Sequence, residues 1–270
     1  MSQSTSPVVA DLDVQPLPGP FGAQVAGISL RETITAPLRA AIHTLLFRHR
    51  VLVWRDQPMD TADQVRFAQS VGSILVFSSV VNLDPARPGV HEVHGGSDDW
   101  HFDASSLPSP PVATMLRAVN VPPSGGDTLW ASNVAAYETL TPELRELITS
   151  RYVTHGRGVQ RPFEDERPVA AHRLVRRHPA TGELYLYLNL ASWDHPQILG
   201  MPLPDSDALI ERLRAACLRP ENHLRVRWSP DTLILWDNRL VQHRGVGDYG
   251  DFPRHLIRIC LADLAELAEL

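Results

Sequence analysis

The sequence predicts a mainly β fold with flanking helices, built around a double-stranded β-helix, or jelly-roll, core. From residue 112 onward, short apolar segments alternate with turns rich in glycine and proline, which is typical of sandwiches and barrels. Two segments with helical spacing precede this region, and no internal repeat or linker divides the chain. We therefore expect residues 1–270 to form a single domain, although other β-sandwich topologies fit the same pattern.

The first part of the chain combines short strands with two helices. Apolar residues within 36–49 recur every three or four positions, and this spacing predicts a helix with one buried face. A second helix is predicted over 61–71, with Thr61 as its N-cap and Gly72 just past its end. The strands predicted between turn residues are 12–15, 24–28 and 51–54.

The second part is predicted to consist mostly of strands. The candidates, all short apolar segments bounded by turn residues, are 114–118, 152–155, 184–189, 224–228, 232–236 and 255–261. Two helices are predicted between them, near 134–148 and 205–217. Residues 73–96 are irregular and polar, and 157–177 are rich in arginine and proline. We expect loops in both places, with the second acting as a lid.

Composition argues against several classes of partner and compartment. The net charge is −6 and no basic stripe is present, so we expect no nucleic-acid partner. Cys217 and Cys260 are the only cysteines and lie in apolar stretches, which argues against a disulfide framework and a cysteine zinc site. No signal peptide is recognisable, and no apolar run reaches the roughly 20 residues of a membrane helix. We expect a cytoplasmic protein that acts on a small molecule. A homo-oligomer is compatible with the sequence.

The sequence WHFD at 100–103 carries the first indication of chemistry. On an extended segment, His101 and Asp103 project to the same side, since strand side chains alternate. Imidazole and carboxylate suit Fe(II), and a second histidine would complete a facial triad that leaves positions open for a co-substrate and O2. The alternative interpretation of these two residues is a polar pair in a turn.

Among the twelve histidines, His243 is the best candidate for the second histidine. It follows the predicted strand 232–236 and the turn-like sequence DNR at 237–239. We therefore expect its imidazole at a strand end that faces a cavity. A surface histidine beside Arg244 is the alternative.

Two arginines lie in the last predicted strand region. Arg254 and Arg258 are four positions apart among apolar neighbours, so both should point to one face of the strand. A buried guanidinium needs an anionic partner, and its planar fork binds carboxylates through two N–H groups. A bound carboxylate and an internal ion pair with Asp248 or Asp251 both satisfy this requirement.

Several short stretches occur together in a distinctive order. They are VQPL at 14–17, GAQVAG at 22–27, WHFD at 100–103, GGDTLW at 125–130, AAYE at 135–138 and LWDNR at 235–239, followed by His243. In residues and in order they resemble the TauD/TfdA family of Fe(II)/2-oxoglutarate dioxygenases over nearly the whole chain. Thr128, reached through a glycine turn, also keeps the family's distance of 27 residues from His101.

The resemblance implies an enzyme that uses Fe(II), 2-oxoglutarate and O2 to hydroxylate a small, anionic organic substrate, with release of succinate and CO2. His101, Asp103 and His243 would bind the iron, and Trp130 would pack near it. Two other functions stay open from the residues themselves. The same ligands could hold zinc in a metal-dependent hydrolase, or the fold could serve a binding protein without catalysis.

The resemblance also implies roles for residues that contact the two organic molecules. Arg254 would bind the distal carboxylate of 2-oxoglutarate, with help from the Thr128 hydroxyl. Arg258 matches a position beside the substrate anion in family members that use sulfonates and carboxylates. Where taurine dioxygenase has aromatic residues in its substrate pocket, this sequence has Arg157 and Ser192, which we therefore expect to contact the substrate. An exposed loop arginine is the alternative interpretation of Arg157. These differences argue against taurine as the substrate.

Overall fold

A computed structural model describes residues 12–77, 86–156 and 169–264 of the chain. In these ranges the strands form one large and one smaller main sheet, which share a core, and helices cover the outside. The predicted mainly β fold with flanking helices is therefore confirmed. None of the helices in the described ranges is long and apolar enough to cross a membrane.

Five α-helices flank the sheets in the described part of the chain. They are α1 (Ala36–His49), α2 (Thr61–Val71), α3 (Asn133–Glu138), α4 (Pro142–Ile148) and α5 (Leu203–Cys217). The first helix has the predicted bounds, and the Thr35 side chain caps it by accepting a bond from the Leu38 backbone. The second also has the predicted bounds, but its N-cap is Asp60 and not Thr61. The reason is a capping box, in which the side chains of Asp60 and Asp63 each accept the other's backbone N–H.

The strands of the described residues are mostly antiparallel. They are β1 (Asp13–Pro16), β2 (Ala23–Ala26), β3 (Val51–Trp54), β4 (Gly72–Ile74), β5 (Val90–His94), β6 (Ala113–Asn120), β7 (Thr128–Ser132), β8 (Tyr152–His155), β9 (Ala170–Arg173), β10 (Val175–Arg177), β11 (Leu184–Leu186), β12 (His223–Val226), β13 (Leu233–Asp237), β14 (Val241–Gly245) and β15 (His255–Leu264). The large sheet has the order β1-β2-β3-β13-β6-β15-β4, and β5 also pairs with β15. The smaller main sheet has the order β12-β7-β14.

Three sequence predictions need correction. Residues 73–96 are not irregular throughout, because they contain most of β4 and all of β5. The single helix predicted near 134–148 is two helices, since the Thr141 side chain caps α4 and so starts a new helix. The predicted lid at 157–177 contains β9 and β10, while residues 157–168 lie outside the described ranges.

Large apolar side chains fill the space between the two sheets and the space under the helices. Trp130 of β7 and Trp236 of β13 meet edge to face between the sheets, with ring centroids 5.7 Å apart. On the opposite face of the large sheet, Ile42, Leu46 and Phe67 bring α1 and α2 onto β3 and β13. Each such side chain contributes roughly 1.5–3 kcal/mol when fully buried. The central strands of the large sheet are thus packed on both faces and form a rigid platform.

A buried ionic network lies where β13 ends. Asp237 is fully buried, and its carboxylate accepts bonds from Arg239 Nη2 at 2.5 Å and Arg239 Nε at 2.9 Å. His178 Nε2 contributes a third contact at 3.0 Å. Burial alone would raise the pKa of Asp237, but Arg239 and the bond from His178 lower it to about 2. The network fixes the turn that connects β13 to β14.

We predict that Asp237→Ala destabilises the protein by about 3–5 kcal/mol, because it leaves a largely buried arginine without its anion. Urea unfolding measures this loss, with the exposed Asp251→Ala as the control expected to change little. The folded-state pKa is depressed, so the stabilisation is present above the unfolded pKa of about 3.9. The difference between wild type and Asp237→Ala should therefore shrink as the pH falls towards about 2. A pH-independent difference would contradict this account.

Candidate active site

Three side chains with metal-binding atoms meet at the edge of the smaller sheet that is formed by β14. His101 forms an isolated antiparallel bridge with His243, in which each backbone N–H donates to the other's carbonyl at 3.0 Å. The potential ligand atoms of His101, Asp103 and His243 all lie within 4.8 Å of one another. His243 lies in the middle of β14 and not at a strand end, and Asp103 lies in a turn that follows the bridge. The backbone pairing of His101 with His243 in β14 therefore brings the WHFD segment next to the second histidine.

A hydrogen bond selects which nitrogen of His101 faces the other two side chains. Its Nδ1–H donates to the Asp99 carbonyl at 2.8 Å, which leaves Nε2 with a free lone pair. The Asp99 carboxylate accepts bonds from the backbone N–H and the hydroxyl of Ser192. Ser192 is exposed and bonded to Asp99, and its neighbour Trp193 packs against the His101 ring with centroids 5.5 Å apart.

Asp103 is buried and held on both sides of its backbone. The side chain of Asn238 accepts a bond from Asp103 N and donates to Asp103 O, both at 3.1 Å. Arg258 Nη1 donates to Asp103 Oδ1 at 2.6 Å. The other oxygen, Oδ2, is buried without a hydrogen-bond partner and lies 3.9 Å from His243 Nε2. One carboxylate oxygen is thus satisfied by an arginine, while the second is available to a cation.

The protonation states of these three side chains at neutral pH favour metal binding. Burial lowers the pKa of His101, and burial together with the nearby His101 lowers the pKa of His243 to about 3. Burial alone would raise the pKa of Asp103, but Arg258 and both histidines lower it to about 2. At neutral pH the site therefore presents two neutral imidazoles and one carboxylate. This donor set, with an orphaned carboxylate oxygen at its centre, fits Fe(II).

A second candidate position for binding is at Arg254, which is buried and precedes β15. Its Nε donates to Gly126 O at 2.9 Å, its Nη1 to Gly95 O, and its Nη2 to Thr128 Oγ1 at 3.3 Å. Among the described residues, no carboxylate lies within ion-pair distance of Arg254, so the alternative of a pair with Asp248 is not observed. The structure thus places the arginine and the threonine together, as predicted, with a positive charge still to be neutralised.

The glycine turn before Thr128 makes this arrangement possible. Gly125 and Gly126 have φ values of 75° and 70°, a region in which side chains other than glycine are strained. A Cβ at Gly125 would lie 2.5 Å from the carbonyl oxygen of Asp248. Thr128 Oγ1 accepts a bond from Trp228 Nε1 at 3.0 Å as well as from Arg254. Its own hydroxyl hydrogen is therefore available to a bound oxygen.

A cavity of about 340 Å³ opens beside the three clustered side chains. Besides His101 and Asp103, its wall includes Phe77, Phe102, Ala104, Asn189, Trp193 and Arg258. Its size suits a small organic molecule.

Trp130, which we expected near the metal, lies directly opposite His243 in the sheet. The indole ring in contact with His243 is that of Trp236, at 4.7 Å between centroids. Arg157 lies outside the described residues.

Sequence reasoning missed several residues around this cavity. Asn238 belongs to a quoted motif, but its clamp on Asp103 depends on a contact across 135 positions. His91 is fully buried, neither of its ring nitrogens has a hydrogen-bond partner, and it pairs with Arg258 across the sheet. Burial, followed by the charge of Arg258, lowers the pKa of His91 to about 4. No local signal in the sequence distinguishes His91 from a surface histidine.

The sequence matches the model of one protein family and is similar to a curated relative. The family described as "Taurine catabolism dioxygenase TauD, TfdA family" matches residues 13–260. The chain is 34% identical over 281 aligned positions to an alpha-ketoglutarate-dependent sulfate ester dioxygenase from Pseudomonas putida. That alignment covers 96% of this chain and 92% of the relative. The similarity therefore extends over both sheets and the cavity.

Two solved structures are similar over nearly the whole chain. A taurine dioxygenase from Burkholderia xenovorans superposes with a TM-score of 0.84 at 31% identity, covering 95% of this chain and 90% of that one. AAD-2, solved in complex with Mn(II) and N-oxalylglycine, superposes with a TM-score of 0.79 at 28% identity. Here 93% of this chain and 96% of that one are covered. Both similarities agree with a jelly-roll core.

We predict that Asn238→Leu destabilises the protein by roughly 1–3 kcal/mol, because it leaves buried backbone groups of Asp103 without partners. It should also weaken divalent-metal binding about tenfold or more, since Asp103 loses its support. Urea unfolding and an anaerobic Fe(II) titration measure the two effects. Asn222→Leu is the matched control, because Asn222 is also buried but bonds to Ala216. Equal losses of metal affinity in both variants would contradict the proposed clamp.

Proposed function

The chain belongs to the TauD/TfdA family of 2-oxoglutarate-dependent dioxygenases, and on this premise we propose that it hydroxylates a small organic anion. The reaction uses Fe(II), 2-oxoglutarate and O2, as in the family. The observation that carries the substrate class is Arg258, a half-buried cation that lines the cavity beside Asp103. Among organic anions, the sequence relative favours a sulfate ester as the first substrate to test.

We assign the iron to His101, Asp103 and His243. The free Nε2 of His101 and the orphaned Oδ2 of Asp103 support this assignment, as does the compact cluster of ligand atoms. Held by these three residues, Fe(II) would supply the activation of O2, of which one oxygen atom would enter a substrate C–H bond and the other succinate, as 2-oxoglutarate loses CO2. Three protein ligands would leave room at the ion for these reactants. Trp130 and Trp236 lie next to His243 of β14 and exclude water from that side of the proposed iron site.

We assign the distal carboxylate of 2-oxoglutarate to Arg254 and Thr128. The guanidinium has only neutral partners among the described residues, although it is buried, and an incoming carboxylate would supply the missing anion. The Thr128 hydroxyl hydrogen is free to donate to the same carboxylate. N-oxalylglycine, bound in one structural relative, has the same carboxylate-ended backbone as 2-oxoglutarate, with an N–H in place of one methylene group.

The substrate anion is assigned to Arg258. The formal charges of Asp103, Arg254, Arg258 and Fe(II) exceed the two negative charges of 2-oxoglutarate by one positive charge. An anionic substrate would neutralise this excess in a buried site, where uncompensated charge is costly. The phenyl and indole rings of Phe77 and Trp193 on the cavity wall would contact the organic part of the substrate. Phe77 and Trp193 therefore join Arg258 as substrate-contacting candidates, beside the earlier candidates Arg157 and Ser192.

A sulfate ester would undergo a defined chemical change in this site. Hydroxylation of the carbon that bears the ester oxygen would place a hydroxyl group and a sulfate on the same carbon. Such a product loses its hydroxyl proton and breaks the carbon–oxygen bond to sulfate, which yields an aldehyde and free sulfate.

The experiment that tests this function is a substrate panel of alkyl sulfates, sulfonates, aryloxy acids and amino acids, with succinate release as the readout. Stimulation by neutral compounds alone would contradict the proposal.

We also propose that residues 1–270 act as one cytoplasmic domain on small molecules. The continuous family match over residues 13–260 supports one functional unit. Cys217 and Cys260 are free and buried, which fits a reducing compartment. The acidic net charge of −6 argues against nucleic acid as a partner. Size measurements in solution would establish whether the chain forms a homo-oligomer.

We predict that Arg254→Met weakens 2-oxoglutarate binding by about 2–5 kcal/mol, or on the order of 30-fold or more in Kd, because a desolvated charge-assisted pair loses one partner. Anaerobic titration of the Fe(II)-loaded protein with 2-oxoglutarate measures the change. Arg212→Met, on the exposed side of α5, is the control and should bind normally. An unchanged Kd in Arg254→Met would place the anchor elsewhere.

Arg258→Met also removes the ion-pair partner of Asp103, so it is assayed at saturating Fe(II). We predict that it raises the KM for the organic substrate at least tenfold more than the KM for the co-substrate, because of these two molecules only the organic substrate loses its cation. Steady-state kinetics, with one of the two molecules varied while the other is saturating, separates the two constants. Arg258→Lys keeps the charge and should recover part of the substrate affinity. Equal increases in both KM values would show that Arg258 serves 2-oxoglutarate or only supports Asp103.

A further inference from the structure

A second group of metal-binding side chains lies outside the active site. Glu92 and His94 are two positions apart on β5, and His255 is the first residue of β15. Their potential ligand atoms all lie within 4.8 Å of one another. The group formed by His101, Asp103 and His243 lies within the same limit. Its members are exposed or half-buried, so an ion from solution can reach them.

The sheet itself brings these side chains together. His94 and His255 are direct partners in the antiparallel pairing of β5 with β15, and Glu92 is opposite Ile257. Side chains at i and i+2 share a face of a strand, and directly opposite residues have Cβ atoms about 4.5–5.5 Å apart. The two imidazole rings stack with centroids 4.3 Å apart and planes 16° apart. The backbone therefore holds all three groups on one face without a ligand.

The distances suit a small divalent ion. Glu92 Oε2 lies 3.1 Å from His94 Nε2 and 3.8 Å from His255 Nε2. Ligands at the 2.0–2.1 Å typical of zinc in a tetrahedral site are about 3.3 Å apart, so both carboxylate–imidazole distances are within a few tenths of an ångström of that value. His255 Nε2 is also buried without a hydrogen-bond partner. A metal ion would satisfy this nitrogen, which nothing else in the described structure does.

We propose that Glu92, His94 and His255 form a second divalent-metal site, of the zinc class, separate from the iron site. Two imidazoles and one carboxylate, with water as a fourth ligand, make a set that zinc uses in proteins. Imidazole-rich sites favour zinc, copper and nickel, whereas magnesium and calcium prefer oxygen ligands. The site therefore discriminates against the two most abundant divalent ions of the cell.

Charges around the site are compatible with a cation. Burial, followed by the proximity of His94, lowers the pKa of His255, which favours the neutral, metal-binding form of its ring. Arg117 is the nearby positive charge that opposes an ion. The charges of Asp60, Asp231 and Asp63 act on Arg117 and offset part of this repulsion. Glu92 supplies the negative charge in direct contact with the ion.

The position of the site indicates a structural role. Gly95 follows His94, and its N–H donates to the carbonyl of Arg254 at 2.9 Å, while Arg254 Nη1 donates to the Gly95 carbonyl. An ion bound by His94 and His255 would tie the end of β5 to the start of β15, one residue away from this pair. The site thus stabilises the strand junction that carries Arg254.

Zinc stoichiometry tests the proposal without relying on enzyme activity. After equilibrium dialysis, the wild type should hold two Zn²⁺ per chain, and His101→Ala should hold one. The His94→Gln/His255→Gln double variant should also hold one, and the triple variant none. His195→Gln, at an exposed histidine outside both groups, should hold two. A double variant that still binds two ions, or a His101→Ala variant that binds none, would overturn the second site.

Thermal unfolding provides the second readout and checks folding of each variant. In the His101→Ala background, Zn²⁺ at a hundredfold excess over its Kd should raise the Tm on the order of 5 °C. The increase should vanish when His94→Gln and His255→Gln are added, and Mg²⁺ should produce none. A zinc-induced increase that persists in the combined variant would also reject the site. Because these unfolding measurements use proteins that lack the iron ligand His101, their outcome is independent of the proposed catalytic function.

Discussion

The ion pair between Asp103 and Arg258 is the interaction on which the active site depends. Asp103 would be costly to bury alone, since burial favours its neutral form. Arg258 occupies one carboxylate oxygen and keeps the group ionised, while the second oxygen faces the two histidines. Asn238 fixes the backbone on both sides. The position of one oxygen atom is therefore set by segments that are distant in sequence, before any metal is bound.

The two arginines near the start of β15 are matched to different partners. Arg254 is surrounded by carbonyl and hydroxyl groups, so its charge would be available to the proposed external anion. Arg258 already has a carboxylate partner, but that carboxylate would be shared with iron in the loaded enzyme. Iron would then weaken the ion pair between Asp103 and Arg258 and make the arginine available to a second anion. This coupling offers a physical reason for ordered binding of metal, 2-oxoglutarate and substrate.

Local patterns predicted much of this fold, and long-range contacts explain what they did not predict. Helical spacing gave the bounds of α1 and α2, while β5 was missed because its polar residues Glu92 and His94 hide the alternation of a strand. The metal-site candidates were found because HxD and the distant His243 belong to recognisable motifs. The cavity residue Trp193 and the buried His91 opposite Arg258 carried no such signal. Their positions follow from strand pairing and loop packing across the fold, which spacing along the chain does not encode.

The central claim is that one site holds Fe(II) and 2-oxoglutarate together, within reach of a substrate anion. The most direct test is an anaerobic absorption titration of the Fe(II)-loaded protein with 2-oxoglutarate. The account predicts a visible charge-transfer band that saturates at one 2-oxoglutarate per chain and does not form with succinate, which lacks the keto group. A protein that binds Fe(II) stoichiometrically but shows no such band with 2-oxoglutarate would contradict the account.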